Sequence, residues 1–349
     1  MRPGNAHAAG GGSGVSPRLS RRQLLTIPAG AALAEVLAKT RASVQAQGPT
    51  RLDAGMSFFN LDGVSAWIAQ DKRFFEKYGL SVTIVNFQGG AKAVAAMAAG
   101  DVPIALLGAA DIINARSRGV PLQAVAGLIN KFPFDFVVGK NITTPAQLRG
   151  AKGAISSFGG SSEFATRFAL TKLGINPQDV TLLQVGDEGS RLAALSTGQI
   201  DFTVLTAGMD LVAFDMGFKP LLRLYTLDQP FQQTVIAINT AWAKTHSAIV
   251  DSFLRATVAA NVFIKNPLNT AAALALIHTH LPIKEANLKQ GFLLYRDQFY
   301  SVYPFVTVPG IEFILRTRKM EQPATDFYDN SYLQALQDAN FAATLAKSP

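Results

Sequence analysis

Residues 82–108 and 180–206 carry one pattern twice, 98 positions apart and without a gap. The first copy reads VTIVNFQGGAKAVAAMAAGDVPIALLG and the second VTLLQVGDEGSRLAALSTGQIDFTVLT. Identities fall at Val82/Val180, Thr83/Thr181, Ala95/Ala193, Ala96/Ala194, Gly100/Gly198 and Leu107/Leu205. Most other positions keep their apolar or polar class. Each copy runs from an apolar, β-rich segment through a glycine-containing turn into a short amphipathic helix, a glycine stop and a second apolar segment. That order defines a βαβ unit, with parallel strands and a right-handed crossover. Upstream, residues 75–80 (FEKYGL) are matched by residues 170–175 (LTKLGI), so each copy also follows a helix that ends in glycine. Two like α/β lobes in one chain imply a cleft between them. Small ligands of such folds bind outside the carboxyl ends of the parallel strands.

The rest of the chain arranges itself around these copies. Residues 51–59 read as a first strand and 64–78 as one helix, with Trp67, Ile68, Phe74, Phe75 and Tyr78 on its apolar side. Residues 134–138 form a β-rich run that leaves the first unit, and residues 233–239 mirror it on the return. Beyond residue 241 the pattern is helical. The expected division is residues 47–138 with 239–349 as lobe 1 and 139–238 as lobe 2. Two crossings flanking one lobe form a natural hinge, expected near residues 137–143 and 232–239.

Composition narrows the setting. The formal net charge of +8 is concentrated at the start: residues 1–46 hold six Lys or Arg against Glu35 alone, leaving 26 basic and 23 acidic residues in the remainder. No basic stripe remains to hold nucleic acid. There is no cysteine, which excludes thiol catalysis, cysteine-ligated metals and disulfides. Ser20-Arg21-Arg22-Gln23-Leu24-Leu25 opens an apolar stretch that ends near Val44-Gln45-Ala46. This reads as a twin-arginine export signal over residues 1–46, cleaved near Ala46, with a plain N-terminal tail and helix as the alternative. The expected location is the periplasm.

Candidate ligand contacts come from the turns that leave the strands. Ser156, Ser157, Phe158, Gly160 and Ser161 lie where a strand meets a helix N-terminus, whose free N–H groups and dipole favour an anion. A plain serine-capped helix start is the competing reading. Gly89, Gly90, Gly108 and Ala109 occupy the matching turns of the first lobe and present bare amides, or else serve tight packing. Asn60 and Asp62 end the first strand, and Asp187 opens the helix of the second copy. Both aspartates read first as helix caps; facing the cleft instead, they would ask for an amine or hydroxyl on the solute. Thr206 is a hydrogen-bonding candidate after the last repeat strand. Arg191 could pair an anion but reads more simply as a solvated helix position. Phe58, Phe59 and Trp67 could wall a ligand. No catalytic group emerges: His278 and His280 are two apart, on different helix faces, and no nucleophile turn or phosphate-cradling loop is present. No metal or cofactor is expected.

Taken in order, these residues resemble a family. Trp67, Phe74 to Leu80, Phe87-Gln88-Gly89-Gly90, Ala99-Gly100-Asp101 and Leu107 to Ala110 resemble the first lobe of ABC-transporter periplasmic solute-binding proteins of the nitrate/sulfonate/taurine group, which is similar to the pyrimidine-precursor binders. Leu148 to Lys152, Gly159 to Phe164, Arg191 to Leu195, Thr197-Gly198-Gln199, Asp201 and Ile249 to Arg255 continue the pattern. The resemblance implies a type II periplasmic binding protein-like fold: two doubly wound α/β lobes joined by a two-segment hinge. It implies a monomeric, non-enzymatic, extracytoplasmic binding component of an ABC importer, handing a small organic anion or zwitterion (sulfonate-, taurine- or nitrate-like) to a membrane permease with its ATPase. Alternatives within the same resemblance are a binder of a pyrimidine or thiamine precursor or an aromatic acid, and a ligand sensor feeding a membrane receptor. Pyrimidine synthases of similar fold carry clustered cysteines, which this chain lacks.

Overall fold

Both copies of the repeat fold as strand, helix, strand in the computed structural model, which describes residues 48–345. The export signal read at residues 1–46 lies outside the described residues. The first lobe runs β1 (Thr50–Met56), α1 (Val64–Asp71), β2 (Leu80–Asn86), α2 (Gly90–Ala99), β3 (Ile104–Gly108), α3 (Ala109–Arg116) and β4 (Leu122–Ile129). The second runs β5 (Phe134–Val138), β6 (Lys152–Ile155), α4 (Ser161–Lys172), β7 (Thr181–Gln184), α5 (Glu188–Ser196), β8 (Phe202–Thr206), α6 (Met209–Asp215) and β9 (Lys219–Arg223). The chain returns through β10 (Thr234–Asn239) and α7 (Thr240–Lys265), then α8 (Thr270–His280), α9 (Glu285–Leu294), α10 (Val308–Thr317) and α11 (Ser331–Asp338). The single helix expected over 64–78 is broken, because Arg73 adopts a left-handed backbone (φ 56°) that restarts the helix at Phe74.

The two sheets have one topology. Their strand orders are β2-β1-β3-β10-β4 and β7-β6-β8-β5-β9. In each, the strand before the repeat inserts between the two repeat strands and pairs parallel with both. The fourth strand is antiparallel and comes from across the crossing: β10 pairs with β3 and β4, and β5 pairs with β8 and β9. Residues 134–138 therefore belong to the second sheet and 234–239 to the first. The crossings lie at 130–133 and 224–233, several residues before the boundaries read from sequence, because each β-rich run is a ladder strand of the lobe it enters. Each sheet is thus mixed.

Period-two alternation sends the faces of the first sheet into different layers. Ile104, Leu106, Ile236 and Ile238 pack with Trp67, Ile68, Phe253 and Leu254, whereas Ala105, Leu107, Val235 and Ala237 pack with Ala93, Met97, Ile112 and Ile311. The 26-residue α7 is long and apolar enough to cross a membrane, but its Val250, Phe253, Leu254 and Val258 are buried in the first of these layers.

An aromatic clasp holds the crossings. Phe132 of the first and Phe231 of the second stack with ring centroids 3.9 Å apart, both buried. Phe168 of α4 stacks on Phe132 at 5.0 Å, Phe164 on Phe231 at 5.3 Å, and Phe313 of α10 meets both α4 rings edge-on. Both chain crossings and one helix from each lobe share this cluster. Replacing Phe231 by alanine is expected to cost about 3–5 kcal/mol, the usual range for a buried phenylalanine. A thermal melt should show a drop of roughly 10 °C; a loss of under about 2 °C would mean that the stack contributes little.

Candidate functional site

The turns at the carboxyl ends of β1, β3, β6 and the repeat strands converge on a narrow cavity between the lobes. Its lining includes Ser57, Phe58, Phe59, Asn60, Asp62, Gly90, Gly108 and Asp111 from the first lobe, and Phe134, Ser156, Ser161, Ser162, Asp187, Glu188 and Arg191 from the second, with Gln233 from the returning crossing. About 50 Å³ of free volume lies within it, room for roughly three or four waters. A larger groove of about 1390 Å³ lies outside, between α4 and α10. Its two arginines are engaged with neighbours: Arg167 Nε donates to Glu163 at 2.8 Å, and Arg318 donates to the carbonyls of Ala110 and Gly159 at 2.9 and 2.8 Å. The convergent strand-end turns single out the inner cavity as the candidate site.

Asn60 and Glu188 join the lobes across it. Asn60 caps the 3-10 turn Leu61–Gly63 with its Oδ1, accepting from the Asp62 N–H, and its Nδ2 donates to Glu188 Oε1 at 2.9 Å. Glu188 Oε2 accepts from the N–H and hydroxyl of Thr206. Asp62 is not the helix cap that its sequence position suggested. It lies inside the turn, 0% exposed, and accepts from Tyr295 Oη at 2.6 Å and Thr234 Oγ1 at 2.5 Å, with Gln233 Nε2 at 3.4 Å. Tyr295 reaches back from a π-helical turn that follows α9. Burial pushes the Asp62 carboxyl up to about 6 despite these donors.

Asp111, in the first turn of α3, carries the second buried carboxylate. It reaches the N-terminus of α4 in the other lobe, where the backbone N–H groups of Ser161 and Gly108 and its own N–H face it. Side chains are excluded around it: a Cβ on Gly90 would collide with Oδ1, and a Cβ on Gly160 would stand 2.7 Å from the same oxygen. Burial raises this carboxyl to about 7, against the opposing pull of the Arg318 guanidinium and those N–H groups.

Several buried polar atoms at or beside the cavity lack a protein partner. They are Ser157 Oγ, Ser161 Oγ, Arg191 Nε and Gln233 Oε1. Such atoms cost free energy unless something supplies the missing bonds, so their clustering at one place marks a recognition surface. Arg191 is 2% exposed rather than solvated as expected. Its Nη1 donates to Thr203 Oγ1 and the Val204 carbonyl, and Nη2 stands 3.8 Å from Glu188.

The turns expected to supply contacts divide. Asn60, Asp62, Gly90, Gly108, Ser156, Ser161 and Asp187 line the cavity. Gly89 faces the Ser156 carbonyl across the cleft, and Gly160 backs the Asp111 carboxylate. Asp187 caps α5 by accepting from the Ser190 N–H at 2.7 Å. Three candidates are drawn elsewhere. The Ala109 N–H donates to the Gln233 carbonyl and closes a backbone turn. Thr206 is buried behind Glu188. Phe158 is 51% exposed, with its N–H on Gln184 Oε1. Trp67 stacks on His280, which bonds Asp71, so it walls the core rather than the cavity. Ser162, in the same turn as Ser161, lines the cavity too; sequence reasoning missed Ser57, Asp111, Phe134, Glu188 and Gln233. Asp111 and Glu188 look like ordinary acidic residues of a helix's first turn, and Gln233 like a strand start. Among the described residues no group of three His, Asp or Glu could hold a metal ion.

Two lobes of equal topology, each completed by a strand from the other side of the crossing, with a polar cavity between them, define the periplasmic binding protein fold. The chain belongs to the NMT1/THI5-like family, whose model matches residues 61–269. It is 29% identical over 208 residues to the taurine-binding periplasmic protein of Escherichia coli (strain K12), a match covering 58% of this chain and 64% of that relative's length. Among solved structures, a protein of Bordetella bronchiseptica RB50 superposes with a TM-score of 0.75 at 19% identity, covering 83% of this chain and 98% of that one. The alkanesulfonate-binding protein SsuA from Xanthomonas axonopodis pv. citri, bound to MOPS, gives 0.67 at 18% identity, covering 78% and 92%. At those identities the two structures speak for the fold.

The buried carboxylates give stability a definite pH dependence. A carboxyl with a raised pKa holds its proton more tightly in the folded chain than in the unfolded one, so its contribution favours the fold at low pH and is lost as pH rises through the folded value. For Asp62 and Asp111 that window runs from about 4 to about 6 and 7. Burial and the neighbouring Asp210 raise Asp135 as well. The solute-free protein should melt several degrees higher near pH 5 than near pH 8, at about 2–4 °C per kcal/mol. Asp111→Asn should narrow that difference, leaving the part due to Asp62 and Asp135. A melting temperature that rises from pH 5 to pH 8 would contradict this account.

Proposed function

We propose that this chain is the extracytoplasmic solute-binding component of an ABC importer, trapping a small organic anion or zwitterion between its lobes. The observation that carries the reading is the cavity enclosed by both lobes, with unpartnered buried polar atoms at its wall. Membership of the NMT1/THI5-like family and likeness to a taurine-binding periplasmic protein support it. On this reading the protein works in the periplasm as a monomer, exported by the signal in residues 1–46. The closed form docks on a membrane permease served by an ATPase, and no covalent chemistry takes place.

Closure turns about the crossings at 130–133 and 224–233. The Asn60–Glu188 bond, the Arg318 bridge to Gly159 and the contacts of Lys284 and Asn287 with Asp215 all form when the lobes meet. Solute shifts the balance between open and closed forms only by its differential affinity for the two. A thermal-shift panel of sulfonates, amino acids and pyrimidines should find one class that stabilises saturably, by about 2.7 kcal/mol at a hundredfold excess over Kd. Small-angle scattering should then show compaction. No stabilisation by any class, together with unchanged scattering, would defeat the proposal.

A further inference from the structure

The cavity wall is poor in positive charge for a site expected to accept an anion. It carries four carboxylates, Asp62, Asp111, Asp187 and Glu188, against one guanidinium, Arg191. That guanidinium is largely committed through Nη1 to Thr203 and Val204 and sits beside Glu188, leaving only Nε without a partner. The helix ends that would attract a sulfonate or nitrate are already engaged. The start of α4, with Ser161 N–H, and the start of α3, with Gly108 and Asp111 N–H, point at the Asp111 carboxylate, which packs against Gly90 at the start of α2. A helix N-terminus favours a nearby negative charge; here the protein supplies that charge itself.

We propose that Asp111 makes the cleft selective for a solute bearing an ammonium group, a zwitterion or a cation, and that anions without an amine are rejected. The inference rests on the reading of the chain as a solute binder and narrows the class of solute. Its second support is independent of the carboxylates: Gln233 Oε1, a buried acceptor on the cavity wall, has no donor. An ammonium presents three donors and no acceptor, matching a wall of this composition, whereas a sulfonate or nitrate presents only acceptors. Asp111 stands before the helix ends that such an anion would need, so its oxygens already take the N–H groups of Ser161, Gly108 and Asp111. The upward shifts of Asp62 and Asp111 come chiefly from burial, and at Asp111 the Arg318 guanidinium, itself bonded to the Ala110 and Gly159 carbonyls, opposes the shift. Ser157 Oγ and Ser161 Oγ, both without partners, can donate or accept and leave room for the acidic end of a zwitterion.

The test is isothermal titration of the full chain with matched pairs that differ in the amine: taurine against ethanesulfonate, β-alanine against propionate, 4-aminobutyrate against butyrate, with nitrate alongside. The amine-bearing member of at least one pair should bind at least about tenfold more tightly, the worth of one hydrogen bond to a charged group. Asp111→Asn should reduce that ratio to within about threefold, relaxing selectivity rather than abolishing binding. If that variant does not fold, Asp62→Asn removes a second cavity carboxylate and carries the same expectation. Ethanesulfonate, propionate or nitrate binding the wild type as tightly as the amine compounds would overturn the proposal while leaving the solute-binding reading intact. A tenfold preference that survives in folded Asp111→Asn overturns the role of Asp111. Silence from every compound overturns the selectivity claim, and with unchanged scattering it removes the solute-binding reading too.

Discussion

The exchange of one antiparallel strand between the sheets is the constraint on which the rest of the molecule depends. Because β5 completes the second sheet and β10 completes the first, neither sheet can form its full ladder until the chain has crossed. The crossings are therefore pinned at both ends by hydrogen-bonded strands only a few residues away. The aromatic clasp of Phe132, Phe231, Phe164, Phe168 and Phe313 packs against them from both sides. Across the cleft from these short tethers, Gly89 lies against the Ser156 carbonyl and Asn60 bonds Glu188.

The contact between the lobes holds ionisable groups where water is scarce. Asp62 and Asp111 are held by donors from two lobes and by tyrosine, threonine and backbone N–H groups, yet burial still outweighs those donors and lifts both carboxyls. A site composed this way is not at its own stability optimum. Natural proteins hold such unfavourable groups in place where recognition requires them, and the surrounding fold must supply the difference.

Much of the architecture was legible because the repeat is written in side-chain periodicity and glycine position, which local rules read well. The parallel strands, the second lobe and the positions of Gly90, Gly108, Ser156 and Ser161 at the cleft follow from that pattern. The crossings were misplaced because a β-rich run looks the same in the lobe it leaves and the lobe it enters; only the pairing of Asp135 with Leu205, or Val235 with Leu107, decides. The charged part of the site was harder. Asp62, Asp111, Glu188 and Arg191 each have an ordinary local explanation as cap, first-turn acid or helix-surface cation. Asp62 and Glu188 are buried by contacts more than a hundred residues apart, Asp62 with Tyr295 and Glu188 with Asn60, which local rules do not see. Phe158 failed in the opposite direction, since its place in a promising turn says nothing about which way the ring faces.

The duplicated unit is no longer symmetric where it matters most. Gly89 and Gly90 in the first copy stand in register with Asp187 and Glu188 in the second, so one half offers bare main chain and the other offers acids at the same geometric post. Duplication thus separated two tasks that a single unit would have had to combine. The first copy keeps the clearance at which Gly89 meets the Ser156 carbonyl, and the second places an acid where Asn60 bonds it. The acids of the wall come from both lobes, Asp62 and Asp111 on one side and Asp187 and Glu188 on the other, so the glycines of the first copy leave its chemistry to residues outside the repeat.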